Sequence, residues 1–99
     1  MRLNFISDPG HGWLVVDRKH VVELGIAPEI SPYSYQKGDI AYLEEDCDAG
    51  LYLQALKAKG ITYTIAEQSL NDDAPCRRFQ RFHIPLEEQI RLDKARGFL

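Results

Sequence analysis

The segment from Tyr42 to Asp48 constrains the fold of this chain more than any other. A short apolar strand pattern runs here directly into four carboxylates, and a helical pattern follows. Asp46 or Asp48 is placed to cap that helix, and apolar residues recur at helical spacing over 49–56 before Gly60 supplies the stop. The sequence therefore predicts a strand, a sharp acidic turn and a well-delimited helix in direct succession.

Strand and helix patterns alternate along the rest of the chain. Alternating or β-branched residues predict five strands, over 2–7, 13–16, 40–44, 61–65 and 76–82. Asp17 is the expected N-cap of a short helix that Gly25 ends, and Pro85 begins a final helix. Prolines and a glycine within 26–38 predict a loop there.

Length and composition limit the chain to one domain. Its 99 residues, with 44% hydrophobic content, suffice for one modest core and leave no room for a second. The order of elements predicts an α+β fold, with a mostly antiparallel sheet of four to five strands, two helices packed on it and a C-terminal helix. We place the core domain at residues 1–82 and interpret residues 83–99 as a helical extension.

The extension carries a thin apolar stripe. Leu86 and Ile90 lie one helical turn apart, Phe98 and Leu99 add apolar surface, and charged residues occupy most other positions. A helix this short is marginal alone, so it must dock on its own sheet or on a neighbouring chain. We expect the extension to be dispensable for folding and to support a homodimer or a partner contact.

Charge is unevenly distributed along the chain. The net charge is −3, but residues 1–76 carry 6 basic and 12 acidic side chains, whereas residues 77–99 carry 6 basic and 3 acidic ones. This polarity argues against direct nucleic-acid binding, which needs a broad basic face, and favours a protein or ribonucleoprotein partner with a basic surface. The N-terminus lacks the apolar core of a signal peptide and no segment is apolar enough for a membrane span, so we expect a cytoplasmic protein.

The acids of the central segment are the first candidate binding site. Five acids and no basic residue lie between positions 39 and 48: Asp39, Glu44, Glu45, Asp46 and Asp48. One or two acids are enough to cap a helix, so the surplus charge suggests that a cationic partner relieves the repulsion. We predict that these five acids form an acidic edge that binds a partner, and pure helix capping remains an equally weighted alternative.

Two further groups of residues suggest other sites. Tyr33 and Tyr35 share a face if their segment is extended, which makes them secondary binding candidates. His11 lies near Asp8 in a glycine-rich turn, so a small hydrolase or nuclease using His11 with Asp8 or the nearby acids is an alternative function. We favour a turn in which His11 completes local hydrogen bonding and Trp13 anchors the core.

A third possible function is that of a nucleic-acid-binding regulator. It would use three arginines with two interleaved aromatic residues: Arg77, Arg78, Arg81, Phe79 and Phe82. Three arginines are too few to specify such a strip, and the acidic first part of the chain counts against it.

No catalytic residue, metal site or cofactor is predicted. His11, His20 and His83 lack the close spacing of zinc ligands. Cys47 and Cys76 form no C-x-x-C pair, and we expect buried, inert thiols in a reducing compartment.

Three blocks of sequence carry a resemblance to known proteins. The blocks Asp8–Leu14, Ile30–Tyr35 and Tyr42–Ala49, in this order, resemble a family of small uncharacterised proteins encoded by bacteriophages and plasmids. The resemblance covers roughly residues 6–82. It implies a mobile-element accessory protein made in a bacterial cytoplasm, and such proteins include anti-CRISPR and anti-restriction inhibitors. The resulting hypothesis is a non-enzymatic inhibitor of a host nucleic-acid-handling complex that acts through the acidic edge.

Overall fold

The computed structural model describes residues 1–97, which form six strands and three helices. The strands are β1 (Arg2–Ser7), β2 (Gly12–Asp17), β3 (Tyr35–Lys37), β4 (Ile40–Glu44), β5 (Thr64–Ser69) and β6 (Gln80–Arg81). The helices are α1 (Arg18–Glu23), α2 (Ala49–Ala58) and α3 (Leu86–Ala95), with short 3-10 turns at Ala27–Glu29 and Pro75–Arg78. None of the helices within residues 1–97 is long and apolar enough to cross a bilayer.

The strands form one sheet in the order β5-β1-β2-β4-β3-β6. Only the β1–β5 pair is parallel, and every other neighbouring pair among the described strands is antiparallel. The predicted α+β fold is therefore confirmed, with a C-terminal helix. The sheet has six strands instead of four to five, because residues 35–37 of the expected loop turn at Gly38, which has a φ of 58°, and pair with β4.

Both faces of the sheet are covered at its central strands. Leu14 and Leu43 point to one face, where they pack with Tyr52 and Leu56 of α2 and with residues of α1. On the other face Trp13 packs in a second cluster with residues of the 70–79 segment, which includes the second 3-10 turn. Strands β2 and β4 are therefore apolar on both sides, as is usual for strands in the middle of a layered domain.

Two predicted strands differ from the observed ones. The strand expected over 61–65 begins only at Thr64, because Ile61 still belongs to the end of α2. The N–H of Ile61 donates to the carbonyl of Leu56 at 2.9 Å. The N–H of Gly60, a residue with a φ of 71°, donates to the carbonyl of Lys57 at 3.0 Å. These two bonds form a Schellman motif, whose apolar residue after the glycine mimics the start of a strand pattern.

The strand expected over 76–82 shrinks to the two residues of β6. Pro75 opens a 3-10 turn instead, and the Phe79 N–H donates to the Cys76 carbonyl at 3.0 Å as that turn ends. Proline pre-sets the backbone for the first residue of such a turn, and this local preference prevails over the weak alternation that follows.

The extension docks on its own chain through charged contacts. Arg18 donates to both oxygens of Glu88 at 2.5 and 2.6 Å, and Arg96 donates to the carbonyls of Val22 and Glu23 at the end of α1. Leu86, by contrast, stays 74% exposed. The expectation that residues 83–99 are dispensable for folding remains a prediction, and Phe98 and Leu99, included in it, lie outside the described residues.

Candidate functional site

A cleft of about 330 Å³ opens on the face of the sheet opposite the helices. It lies where the β1–β2 turn, the end of β4 and the second 3-10 turn meet. Its lining combines aromatic, acidic and basic side chains with one thiol: His11, Trp13, Tyr33, Tyr35, Glu44, Asp46, Cys47, Arg77 and Arg81. Seven of these nine residues belong to the sequence motifs singled out as candidate sites, and the remaining two are Trp13 and Cys47.

An ion pair between Asp8 and Arg77 forms one side of the cleft. Arg77 donates to the two oxygens of Asp8 at 2.6 and 2.8 Å, and its guanidinium lies 5.0 Å from the centre of the Trp13 ring. The carboxylate also accepts hydrogen bonds from the backbone N–H groups of Gly10, His11 and Ala74. Hydrogen bonding from Arg77 holds the pKa of Asp8 well below its usual range.

Of the acids considered as partners of His11 in the alternative hydrolase function, the structure places Glu44, and not Asp8, beside the imidazole. Asp8 accepts a hydrogen bond from the backbone of His11, whereas the imidazole Nδ1 lies 3.3 Å from an oxygen of Glu44. The favoured sequence interpretation is confirmed for Trp13, which is 2% exposed and anchors the second cluster. The carboxylate that contacts the His11 imidazole is therefore that of Glu44.

Glu44 is buried at the end of β4 and organises the acidic turn. Its Oε2 accepts the N–H groups of Asp46 and Cys47, both at 2.9 Å, and its Oε1 faces His11. Glu44 thus satisfies backbone N–H groups of the turn that precedes α2, the helix that we expected Asp46 or Asp48 to cap. Asp48 does occupy the N-cap position of α2, but its side chain makes no capping bond.

The Asp48 carboxylate instead holds the loop before β3. It accepts hydrogen bonds from the N–H of Ser31 at 2.9 Å and from the hydroxyls of Ser31 and Ser34. The Ser34 hydroxyl in turn accepts the N–H of Glu44 at 2.9 Å. This buried network fixes the loop that carries Tyr33 to the edge of the cleft.

The predicted acidic edge is divided by the fold. Glu44 and Asp48 are only 5% and 1% exposed, and their carboxylates accept hydrogen bonds from groups within the protein. Glu45 and Asp46 are exposed at the cleft end of β4, whereas Asp39 is exposed at the other end, roughly 20 Å away along the strand. The surplus of acids that suggested a partner is therefore partly explained by the needs of the fold.

The predicted basic strip is also divided. Arg77 is paired with Asp8, Arg81 donates to the Pro32 carbonyl beside the Tyr35 ring, and Arg78 is exposed outside the cleft lining. The two phenylalanines of the strip pack on opposite faces of the sheet. These residues offer no continuous stacking platform within the described part of the chain.

The two cysteines are free thiols with different surroundings. Cys76 is buried as expected, and its burial raises the pKa to about 11. Cys47 was expected to be buried but is exposed at the cleft, where a hydrogen bond with Glu44 is the main cause of its raised pKa.

Three potential metal ligands converge in the cleft, where the sequence predicted none. Single donor atoms of His11, Glu44 and Asp46 all lie within 4.8 Å of one another. The cause is the register of β2 and β4, which places Trp13 opposite Glu44 and so brings the β1–β2 turn beside the acidic turn. The sequence shows the histidine of one turn and the acids of the other, but it does not show the pairing of β2 with β4 that brings the two turns together.

Comparisons with known proteins add no family to this picture. Protein-family models, curated proteins and solved structures gave no match to the chain.

Proposed function

We propose that the chain is a non-enzymatic binding protein that receives a lysine or arginine side chain of a protein partner in the cleft. The observation that carries the proposal is the combination of carboxylates and aromatic rings in one cavity. Glu44 and Asp46 supply negative charge and Tyr33 supplies an exposed ring, whereas the Trp13 and Tyr35 rings already lie against the guanidinium groups of Arg77 and Arg81, which also line the cleft. Carboxylates attract cationic groups, and aromatic faces add to that attraction in partly desolvated sites.

The exposed residues at the rim suit a protein partner. Tyr33 is 62% exposed although the Asp48 network fixes its loop, so its ring offers contact area at a small cost in loop entropy. Asp46 lines the same cleft, and both Asp46 and its neighbour Glu45 are exposed and can contact further basic groups. The proposed footprint therefore keeps Tyr33, Tyr35, Glu45 and Asp46 from the predicted sites and leaves out Asp39.

We further propose that the partner is a host complex that handles nucleic acid, and that binding inhibits it. The three sequence blocks that resemble phage and plasmid proteins support a mobile-element origin. The net charge of −3 supports a partner whose basic surface otherwise contacts phosphates. On this proposal the chain competes with nucleic acid for a CRISPR or restriction complex.

The test uses purified CRISPR and restriction complexes and measures both binding and inhibition. Asp46→Lys and Tyr33→Ala should each weaken binding about tenfold or more, which corresponds to about 1.4 kcal/mol. Binding of the unaltered chain should also weaken as salt is raised.

Glu67→Lys is the matched control. Glu67 is exposed and pairs with Phe5, which packs on the helix side, so the same charge reversal falls on the face opposite the cleft. It should leave affinity within about threefold. If Asp46→Lys and Glu67→Lys lost the same amount of affinity, the effect would be explained by net charge alone. If Asp46→Lys and Tyr33→Ala both inhibited the complex as fully as the unaltered chain, the cleft would be refuted as the binding site.

A small hydrolase is the second candidate, favoured by the contact between His11 and Glu44. A buried carboxylate that orients an imidazole is a common arrangement for general base catalysis. His11→Ala should then abolish turnover of ester or nucleotide substrates without unfolding the protein. Turnover that is equal in the variant and the unaltered chain would eliminate this candidate.

A further inference from the structure

We propose that His11, Glu44 and Asp46 form a binding site for a divalent transition-metal ion of the Zn²⁺ class. This inference goes beyond the protein-binding function and does not rest on it, and an ion bound here would compete with the partner's cationic side chain for the carboxylates of Glu44 and Asp46. It starts from the three donor atoms within 4.8 Å of one another at one end of the cleft. The group is mixed, with one imidazole nitrogen and two carboxylates, and it joins two turns that are distant in sequence.

The distances are close to those of a metal site. Ligands at 2.0–2.1 Å from a tetrahedral zinc ion lie about 3.4 Å from one another. His11 Nδ1 and Glu44 Oε1 are already 3.3 Å apart. Asp46 is exposed, so its side chain can rotate the remaining distance without disturbing the core.

Glu44 is held in the orientation that a metal ligand needs. Its side chain is 6% exposed, and two backbone N–H groups fix Oε2, which leaves Oε1 directed at His11. Such outer hydrogen bonds orient the ligating carboxylates of metal sites. The Glu45 N–H also donates to the Gly12 carbonyl at 2.9 Å, so backbone bonding holds the two turns together.

The donor set selects among metals. An imidazole with two carboxylates suits Zn²⁺, Co²⁺ or Ni²⁺, whereas Ca²⁺ takes six to eight oxygens and Mg²⁺ demands near-octahedral oxygen ligation. The imidazole of His11 has half of its surface exposed, 51%, so an ion can enter from solvent. Three protein ligands would leave the fourth position of a tetrahedral ion open to water or to a ligand.

The test is a titration of chelator-treated protein with Zn²⁺ by calorimetry and with Co²⁺ by absorption spectroscopy. We expect one ion per chain with micromolar or tighter affinity, and a Co²⁺ spectrum of low-symmetry four- or five-coordination. His11→Ala and Asp46→Asn should each weaken binding about tenfold or more, since each removes one of three ligands.

Two control variants separate this site from adventitious binding. Glu45→Gln removes an exposed acid of the same turn that lies outside the group, and it should leave affinity unchanged. Glu67→Gln, on the opposite face of the sheet, should also bind normally. Zinc should raise the melting temperature of the unaltered chain and of both controls, but not of His11→Ala.

Several results would overturn the inference. Affinity weaker than millimolar in the unaltered chain would do so, as would normal binding by both ligand variants. Loss of binding in Cys47→Ser together with normal binding in His11→Ala would assign the ion to the thiol instead. Circular dichroism of each variant shows whether it is folded, and folding is expected because His11 and Asp46 are exposed.

Discussion

Replacing Asp8 with asparagine is expected to destabilise the protein by about 3 kcal/mol at neutral pH. The side chain of Asp8 is fully buried, and its two oxygens accept five hydrogen bonds, two of them from Arg77. Breaking a buried ion pair costs about 3–5 kcal/mol, because the remaining charge loses its partner. We take the lower end since the Arg77 side chain is 28% exposed and water can hydrate it in part.

The pH dependence gives the prediction a second readout. Hydrogen bonding from Arg77 lowers the pKa of Asp8 in the folded state below the value of about 3.9 for an unfolded chain. The stabilisation is therefore fully present above that value and is lost as the pH falls below it toward the folded-state pKa. The difference in unfolding free energy between the unaltered chain and Asp8→Asn should narrow as the solution is acidified.

Urea denaturation followed by circular dichroism measures both quantities. A loss of about 3 kcal/mol should also lower the melting temperature by roughly 12 °C or more for a domain of this size. Asp72→Asn, in the exposed turn before Ala74, is the matched control and should change stability by less than about 0.5 kcal/mol. A double-mutant cycle with Arg77→Met should give a coupling of about 1 kcal/mol or more. A loss below 1 kcal/mol in Asp8→Asn, or a coupling near zero, would refute the argument.

Other substitutions test the packing and the loop. Gly12→Ala should cost about 1–3 kcal/mol in thermal unfolding, because the added methyl group would overlap the Phe5 ring; an unchanged melting temperature would show that the ring moves aside easily. Asp48→Asn should increase proteolytic cleavage within 31–34, since the loop loses charged acceptors, and an unchanged digestion pattern would contradict this. In native protein at mildly alkaline pH, Ellman's reagent should modify the exposed Cys47, slowly because its raised pKa keeps the thiol protonated, and should modify Cys76 only upon unfolding; two equally fast thiols would be inconsistent with the burial of Cys76.

Local sequence patterns were enough to predict several elements of this fold. The helix over 49–58, its end at Gly60 and the N-cap at Asp17, which accepts the Lys19 N–H at 3.0 Å, all agree with the sequence. These features depend on contacts within four or five residues, so propensity and periodicity carry the information. The α+β class followed from the order of such elements.

The roles of the acids could not be read in the same way. Helix caps and exposed binding edges use the same residue types. The neighbouring residues in the sequence do not show whether a carboxylate side chain points inward or toward solvent. Only the fold shows that Glu44 turns inward to His11 and that Asp48 turns to the serines of a loop 14–17 residues earlier. The acids of this segment do outnumber what one helix cap needs, and the internal hydrogen bonds of Glu44 and Asp48 explain two of them.

What the sequence determined by itself is therefore the inventory of local elements and the chemistry available in two turns. The tertiary structure decided which of these side chains meet. The antiparallel pairing of β2 with β4 brings His11 beside Glu44, 33 positions away, and the covering segment over 70–79 delivers Arg77 to Asp8, 69 positions away. Such contacts depend on strand register and on the packing of both faces of the sheet. Both are set by the burial of the whole apolar pattern, and no short segment encodes them alone.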